Sequence, residues 1–415
     1  MSLSVTPLSA RRERLVLWLL AGLQFTHLLD FMILSPLSPQ LMRLWGISAS
    51  RFGYLVSVYA IAAAFAGLAA TFVIDRFDRR AALLAVYVLF IVATLACAVA
   101  PGFWFLLAAR ALAGASGGVV GSIVMAIVGD LIPPERRGRA MGVVMSAFPV
   151  VSVMGVPAGL LLAGHFGWHA PFYVLAGLSM LLGVCVPAVV PKVAAHVVPG
   201  LRPGGGWRAD FTALLRARGH GRALASVFIF TLSGFMLYPF LSAYQVKNVG
   251  IGETELAWVF FCGGLATIVT SRLIGWSADR FGKRRMFLIL AWCSIAPILV
   301  TTHMPRASVW VLIAATTPFM VLMSGRFIPL MALVSMCVNA PMRGAFMSLS
   351  SAAQNLAAGV ASMLAGAMIG HGGDGALTGF GHVGVMAAAL TVMCVGVAGK
   401  LRPAADVGRP RAVAA

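Results

Sequence analysis

Apolar and polar positions alternate on a coarse scale, in long greasy runs separated by short polar breaks. The runs fall at about 15–41, 52–74, 81–100, 103–131, 140–164, 169–191, 221–246, 255–278, 286–303, 308–337, 344–370 and 379–399. A helix crosses a hydrocarbon core in roughly 20 apolar residues. The pattern therefore predicts an all-α integral membrane protein with twelve transmembrane helices. Connections are short except at 192–220, which holds Pro199, Pro203, the Gly204–Gly206 run, Asp210 and several arginines. This stretch reads as a cytoplasmic linker with a surface helix. It divides the chain into an N-terminal six-helix half, 1–191, and a C-terminal six-helix half, 221–415. Arg11, Arg12 and Arg14 ahead of the first run resemble the start of a signal peptide. That run continues from Leu15 to beyond Pro36 with no small-residue cleavage site, so it reads as a retained first span.

Composition supports this reading. Hydrophobic residues make up 60% of the chain and charged residues 10%, whereas a soluble domain carries roughly a quarter charged. Cys97, Cys185, Cys262, Cys293, Cys337 and Cys394 all lie inside apolar runs without metal-like spacing, and read as small core residues. A net charge of +19 would suggest nucleic acid in a soluble protein, but its distribution decides otherwise. Of 31 Lys and Arg, 24 fall on the side of the predicted termini and linker, 4 on the opposite side and 3 inside spans. Basic residues stay cytoplasmic, so both termini are expected in the cytoplasm and no nucleic-acid partner is needed.

The two halves echo one another. Asp75-Arg-Phe-Asp-Arg-Arg80 follows span 2, and Asp279-Arg-Phe-Gly-Lys-Arg284 follows span 8. Pro134-Glu-Arg-Arg-Gly138 after span 4 is matched by Pro341-Met-Arg-Gly344 after span 10. Matched loops at similar offsets, 204 from Asp75 to Asp279 and 206 from Gly138 to Gly344, are the trace of a parallel duplication. Gly275-Trp-Ser-Ala-Asp-Arg-Phe-Gly-Lys-Arg284 resembles the loop signature of the major facilitator superfamily throughout. The first copy departs from it at Thr71 and Asp78, where glycines are usual. Arg110-Ala-Leu-Ala-Gly-Ala-Ser-Gly-Gly118 is similar to the family's arginine-and-glycine motif in span 4, and Gly155-Val-Pro-Ala-Gly159 is a looser likeness to its antiporter motif. Within the family the chain resembles the twelve-span drug:proton antiporters. The resemblance implies the major facilitator fold, with spans 1, 4, 7 and 10 lining a central cavity.

Asp30 is the one acid far from either end of a span. A carboxylate there costs about 2.5–3.5 kcal/mol even on lenient insertion scales. It must face a cavity or a partner, or carry a proton. It reads as a proton-coupling or substrate group, or else as a permanently paired structural acid. His27 and Gln24 continue its helix face at three-residue steps. They form a proton relay, or a hydrogen-bonded stripe lining water. Arg326 lies mid-span between Gly325 and Pro329. It is expected in the cavity, where it could meet Asp30, or satisfied inside its own half. The resemblance makes Arg110 the cationic partner of the proton site, and snorkelling to headgroups is the alternative. Gly114, Gly117, Gly118 and Gly121 are mid-span with no Lys-Ser/Thr after them, so they read as helix-packing glycines and not as a phosphate loop.

Phe235, Tyr238 and Tyr244 in span 7 suit a substrate pocket or an interfacial belt, with Pro239 as a flexing point. Gln354 and Asn355 add polar cavity candidates in span 11. The loop residues Asp75, Arg76, Arg79, Arg80, Asp130, Asp279, Arg280, Lys283 and Arg284 are expected to close the cytoplasmic side and to release when it opens.

The sequence contains no nucleophile–base set and no metal cluster, so it is read as a transporter and not an enzyme, with no cofactor. The expected function is proton-coupled export of a small organic solute or drug by alternating access. The alternatives are a proton:metabolite symporter for uptake, and a non-transporting receptor or enzyme on the same fold. Expected partners are the small-molecule substrate, protons and the lipid bilayer, with the chain monomeric in a bacterial inner membrane.

The charge bias yields a direct test. A reporter fused after Arg218 or at the C-terminus is expected to read as cytoplasmic, and one near Lys247 as external. A cytoplasmic signal at Lys247 would overturn the twelve-span topology.

Overall fold

Backbone N–H and C=O groups have no water to bond in a bilayer, so each span must satisfy its own backbone as helix. The computed structural model describes residues 9–73, 77–192, 219–338, 342–372 and 375–401. They form α1 Ala10–Ile33, α2 Ala49–Val73, α3 Arg79–Ala98, α4 Phe103–Leu131, α5 Arg136–Phe166 and α6 Ala170–Val189. The second half holds α7 His220–Val249, α8 Leu256–Phe281, α9 Lys283–Thr302, α10 Val309–Met336, α11 Arg343–Met368 and α12 Phe380–Ala398. A two-residue hairpin, β1 Gly370–His371 with β2 Leu377–Thr378, joins α11 to α12. The linker residues 193–218 lie outside the described residues.

Among the described residues, eleven helices are long and apolar enough to cross a membrane. The twelfth expected span, α11, has the length at 26 residues but not the apolarity. Ser348, Ser350, Ser351, Gln354 and Asn355 dilute it. The first span is also shorter than its apolar run. α1 stops at Ile33, and a turn leads into a short helix, Ser38–Leu44, with Pro39 in its first turn.

Three spans are broken, each beside a proline. In α5 a π-helical stretch, Val151–Gly155, precedes Pro157, which has no N–H to offer the Val153 carbonyl. In α7 the helix breaks at Met236–Leu237 and restarts at Tyr238 with Pro239 in its first turn. In α10 it breaks at Arg326, and Pro329 leaves the Gly325 carbonyl without its helical donor.

The loop after α2 shows how the two halves solve one problem differently. Gly282 precedes α9 at φ +94°, a left-handed conformation suited to glycine. Asp78 stands at the matching place with φ −57°, and its carboxylate accepts the Ala81 N–H at 3.3 Å. Asp78, standing where a glycine is usual, thus supplies an N-cap for α3.

Each helix runs between a terminal face, where α1 begins and α12 ends, and a distal face. The halves join along α2 with α11 and α5 with α8. Small residues bring the backbones together. Ser50 Oγ donates to the Gly366 carbonyl at 2.8 Å, and Ser57 Oγ to that of Gly359 at 2.6 Å. A Cβ on Gly53 would lie 2.6 Å from the Ser362 carbonyl oxygen, and one on Gly264 would lie 3.0 Å from that of Ser152. Phe52 meets Phe240 edge-on across the same seam, with ring centroids 6.0 Å apart. Arg43 pairs with Glu253 on the distal rim, but both are partly exposed. Such a pair contributes about 0–1 kcal/mol, so packing and not charge seals this face.

Core burial follows the same division. On the distal side one apolar cluster runs through both halves, from Leu37, Phe52 and Phe172 to Phe240, Phe319 and Phe380. On the terminal side there are two clusters. One belongs to the first half, around Leu20, Tyr87 and Ile127, and the other to the second, around Val227, Phe287 and Phe346. The halves are fused distally and keep separate cores at the terminal face.

The seam can be opened by volume alone. Gly53→Leu is expected to cost about 1–3 kcal/mol in unfolding experiments. It should also raise the labelling rate of a cysteine placed at the buried Ser362 by an impermeant maleimide from the distal side. Wild-type stability and labelling in that variant would contradict the close backbone approach.

Candidate functional site: a buried ion pair beside an aromatic bridge

Asp30 sits in the last third of α1, three residues after His27, and Arg110 lies in the first third of α4. Both side chains are 0% exposed. Arg110 Nη1 donates to Asp30 Oδ2 at 2.9 Å and to the Asp30 backbone carbonyl at 3.0 Å. At that separation the attraction is roughly 6 kcal/mol with an effective dielectric of 20. Desolvation takes back several kcal/mol for each ion, so the intact pair adds little net stability. Its chemical interest lies in what remains open. Asp30 Oδ1, Arg110 Nε and Arg110 Nη2 have no hydrogen-bond partner among the described residues.

The surroundings let Arg110 survive loss of the carboxylate charge. Its guanidinium lies 4.2 Å from the centre of the Tyr59 ring, a cation–π contact. The backbone carbonyl of Asp30 would still accept from it. Tyr59 in turn donates to the His27 carbonyl at 3.4 Å. The His27 ring bonds the Gln24 carbonyl through Nδ1 at 3.1 Å, while Gln24 Oε1 is buried without a partner among the described residues. The α4 glycines make the room. Cβ atoms on Gly117 and Gly121 would lie 2.7 Å from Tyr59 Oη and 3.2 Å from His27 Nε2. Gly118 would meet the Ala63 carbonyl at 2.7 Å, so that glycine serves α2–α4 packing as expected.

Aromatic rings continue from this pair across to the other half. Tyr59 stacks on Phe31 at 5.2 Å, Phe31 meets Phe235 of α7 at 5.6 Å, and Phe235 meets Tyr238 at 6.1 Å. Phe31, Phe235 and Tyr238 are partly exposed, so these rings border the space between the halves.

The structure decides between several of the alternatives that the sequence left open. Arg326 does not meet Asp30. It is buried among hydroxyls of its own half, donating to Ser294 and Thr391 at 3.0 Å and to Ser233 at 3.4 Å. Arg110 does not snorkel, since the ion pair holds it inside. Tyr244 is no pocket residue: its hydroxyl donates to the Met304 carbonyl at 2.9 Å and its ring packs on Phe380 in the distal core. Gln354 donates to Ser350 of its own helix, and Asn355 is half-buried beside it.

Of the loop residues, Arg79 pairs with Asp130 at 3.2 Å and Arg80 donates to the Pro187 carbonyl at 3.2 Å, all within the first half. Asp75 and Arg76 lie outside the described residues. Lys283 and Asp279 are 3.9 Å apart on successive turns, with Asp279 mostly exposed. Arg280 packs over Trp276 at 5.2 Å, and Arg284 is exposed. Sequence reasoning missed Tyr59, Ser233, Ser294 and Thr391. Nothing in their types or spacing separates them from ordinary span residues. It also missed Glu13, which pairs with Arg136 at 3.1 Å between α1 and α5.

Paired helix sets, broken spans and a charged pair in the membrane interior are features on which secondary transporters are built. The family model of the Major Facilitator Superfamily matches residues 20–224 and again 223–414, and the chain belongs to that family. The protein is thus a multi-pass membrane transporter and not an enzyme. An uncharacterized MFS-type transporter of Bacillus subtilis, YwfA, is 27% identical over 87% of this chain and 86% of its own length. The purine ribonucleoside efflux pump NepI of Escherichia coli is 27% identical over 62% of this chain and 63% of its own. Among solved structures, a bacterial homolog of the human lysosomal transporter Spinster superposes with a TM-score of 0.77 at 15% identity, covering 94% of this chain and 97% of that one. A D-xylose-proton symporter does so with 0.76 at 17%, covering 95% and 98%.

Burial separates the two kinds of charge pair. Arg110→Gln strands a buried carboxylate and is expected to cost about 3–5 kcal/mol. Arg79→Gln, at a buried guanidinium whose partner Asp130 is still reached by water, is expected to cost less than Arg110→Gln. Adding Asp30→Asn to Arg110→Gln should recover much of the loss. Unfolding of the purified variants measures all three, and equal losses for Arg79→Gln and Arg110→Gln would refute the ranking.

Proposed function

We propose that this transporter is a proton-coupled exporter, exchanging a small organic solute for protons by alternating access. The observation that carries the reading is the Asp30–Arg110 pair, fully buried yet with unused hydrogen-bonding atoms on both partners. A proton on Asp30 cancels the Coulomb attraction and leaves Arg110 on the Asp30 carbonyl and the Tyr59 ring. The pair thus has two tolerable states that differ by one proton. Asp30 is the coupling acid, Arg110 its competitor for the charge, and His27 with Gln24 the polar step beside it on α1. α1 also carries Phe31 into the aromatic bridge, so a change at Asp30 is felt one residue later at the contact with α7.

From the charge bias we read the terminal face, and the termini with it, as cytoplasmic. The separate cores at that face then correspond to a cytoplasm-open state, with the α2–α11 seam as the external closure. The loop arginines are read as the groups that close the cytoplasmic side, with the Arg79–Asp130 pair bracing the first half's own loop. The bacterial relatives favour an inner-membrane location, and the efflux activity in NepI's name favours export as the direction.

Proteoliposomes with an imposed pH gradient test the reading. Asp30→Asn keeps the shape but cannot release a proton, so uphill transport should vanish while downhill exchange of solute persists. If Asp30→Asn still concentrates solute with wild-type pH dependence, the proton is carried elsewhere and the reading fails.

A further inference from the structure

The intramembrane charges do not balance. Asp30 is the deep acid of the first half, and Arg110 already neutralises it. The second half has no acid to offer. No Asp or Glu occurs between Asp210 and Glu253, between Glu255 and Asp279, or between Asp279 and Asp374, and none in α12. Arg326 is nevertheless 1% exposed inside that half. It is held by the hydroxyls of Ser233, Ser294 and Thr391 and by the Met323 sulfur at 2.9 Å. Those hydroxyls pass their own protons to backbone carbonyls, Ser233 and Thr391 to Ala387 and Ser294 to Ala291. They spread the positive charge over dipoles and do not cancel it. Arg326 Nε stays buried without a partner among the described residues. The Phe230 ring, 5.1 Å from the guanidinium carbon, offsets part of the cost of this buried charge, and with no acid in the spans around it a full counter-charge would have to come from outside the chain.

The position of Arg326 says what that counter-charge accompanies. Met323, which accepts from the guanidinium, packs over Gly234 beside the Tyr238 ring, since a Cβ there would lie 3.3 Å from Met323 Cε and 3.7 Å from Tyr238 Cε2. Tyr238 and Phe235 belong to the ring series that borders the space between the halves. The guanidinium therefore stands one layer behind an aromatic wall. It also sits where α10 breaks, and Ser233 lies three residues before the break in α7. Two of the four helices that hold it, α10 and α7, are interrupted beside it, and they are the two that carry the guanidinium and the aromatic wall.

From this we infer that the transported solute is an amphipathic organic anion, its aromatic body on Phe235, Tyr238 and Phe31 and its acid group drawn to Arg326. The inference rests on the exporter reading for the location of the site, but not on proton coupling or direction. A lipophilic cation would find no free carboxylate, because the one deep acid is engaged by Arg110.

Equilibrium binding to the purified full-length protein tests this without any gradient. The probes are 1-naphthoate, its neutral analogue 1-naphthamide, and the cation tetraphenylphosphonium, measured by calorimetry. Wild type should bind naphthoate more tightly than either of the others. Arg326→Gln should weaken naphthoate by at least about tenfold, the scale of a charge-assisted contact, and leave naphthamide unchanged. Arg326→Lys should retain part of the naphthoate preference. Tighter binding of tetraphenylphosphonium, no naphthoate binding, or equal losses of naphthoate and naphthamide in Arg326→Gln would each overturn the assignment. So would an Arg326→Gln protein that binds naphthoate as wild type does. If Arg326→Gln does not fold, the order of the three probes on wild type decides alone. Failure of proton coupling would appear instead as absent gradient-driven flux with this binding order intact.

Discussion

A carboxylate and a guanidinium 2.9 Å apart with no solvent exposure set the terms for everything near them. Neither can be left alone in the membrane interior, so α1 and α4 must stay in register for the pair to exist. That register fixes the rest of the first half's inner surface. Gly117 and Gly121 lie where His27 and Tyr59 need space, and Tyr59 turns its ring to the guanidinium. Phe31, next to Asp30, is thereby aimed at Phe235 of the opposite half. One electrostatic requirement thus reaches the interface between halves through a single residue step on α1.

The distal seam obeys a different physics. Its cross-half bonds are serine hydroxyls on glycine carbonyls, and its closeness comes from missing side chains at Gly53, Gly264, Gly359 and Gly366. In lipid, apolar surfaces gain nothing by hiding from water, so helices associate through close packing and small polar contacts. Such a seam is easily lost when the backbones separate by an ångström or two, because each contact is short-ranged. It suits a surface that must part and rejoin as a unit. The exposed Arg43–Glu253 pair on the rim orients the closure more than it stabilises it.

The twelve-helix order was legible in the sequence because apolar run length is a blunt and reliable signal. The one helix that falls short, α11, does so for the same Gln354 and Asn355 that marked it as a cavity candidate. Asp30 and Arg110 stood out because charges inside spans are expensive. What could not be read was which charge meets which. Both Arg110 and Arg326 were candidates to meet Asp30, and the outcome depends on helix rotation, which hydropathy does not encode. The hydroxyl cradle of Arg326 was invisible for another reason. Ser233, Ser294 and Thr391 come from three helices spread over 159 positions of chain, counted inclusively from 233 to 391. Ser294 and Thr391 bond carbonyls of their own helices and Ser233 one of α12, so none of the three stands out by type or spacing.

Duplication sharpens the contrast between the halves. Their loops diverged without loss of form: Gly282 turns by a left-handed backbone, while Asp78 turns in an ordinary conformation and caps the next helix. Their interiors diverged in kind. The first half is electrically closed, an acid and a base cancelling each other until a proton arrives. The second is open, a cation on hydroxyls with no acid in reach along its spans. In the proposed cycle these two conditions assign the labour. A proton changes the state of the first half by dissolving a pair, and an anion changes that of the second by completing one. Both events alter charge at the aromatic bridge from opposite sides, and the bridge is where the halves must agree on which face is open.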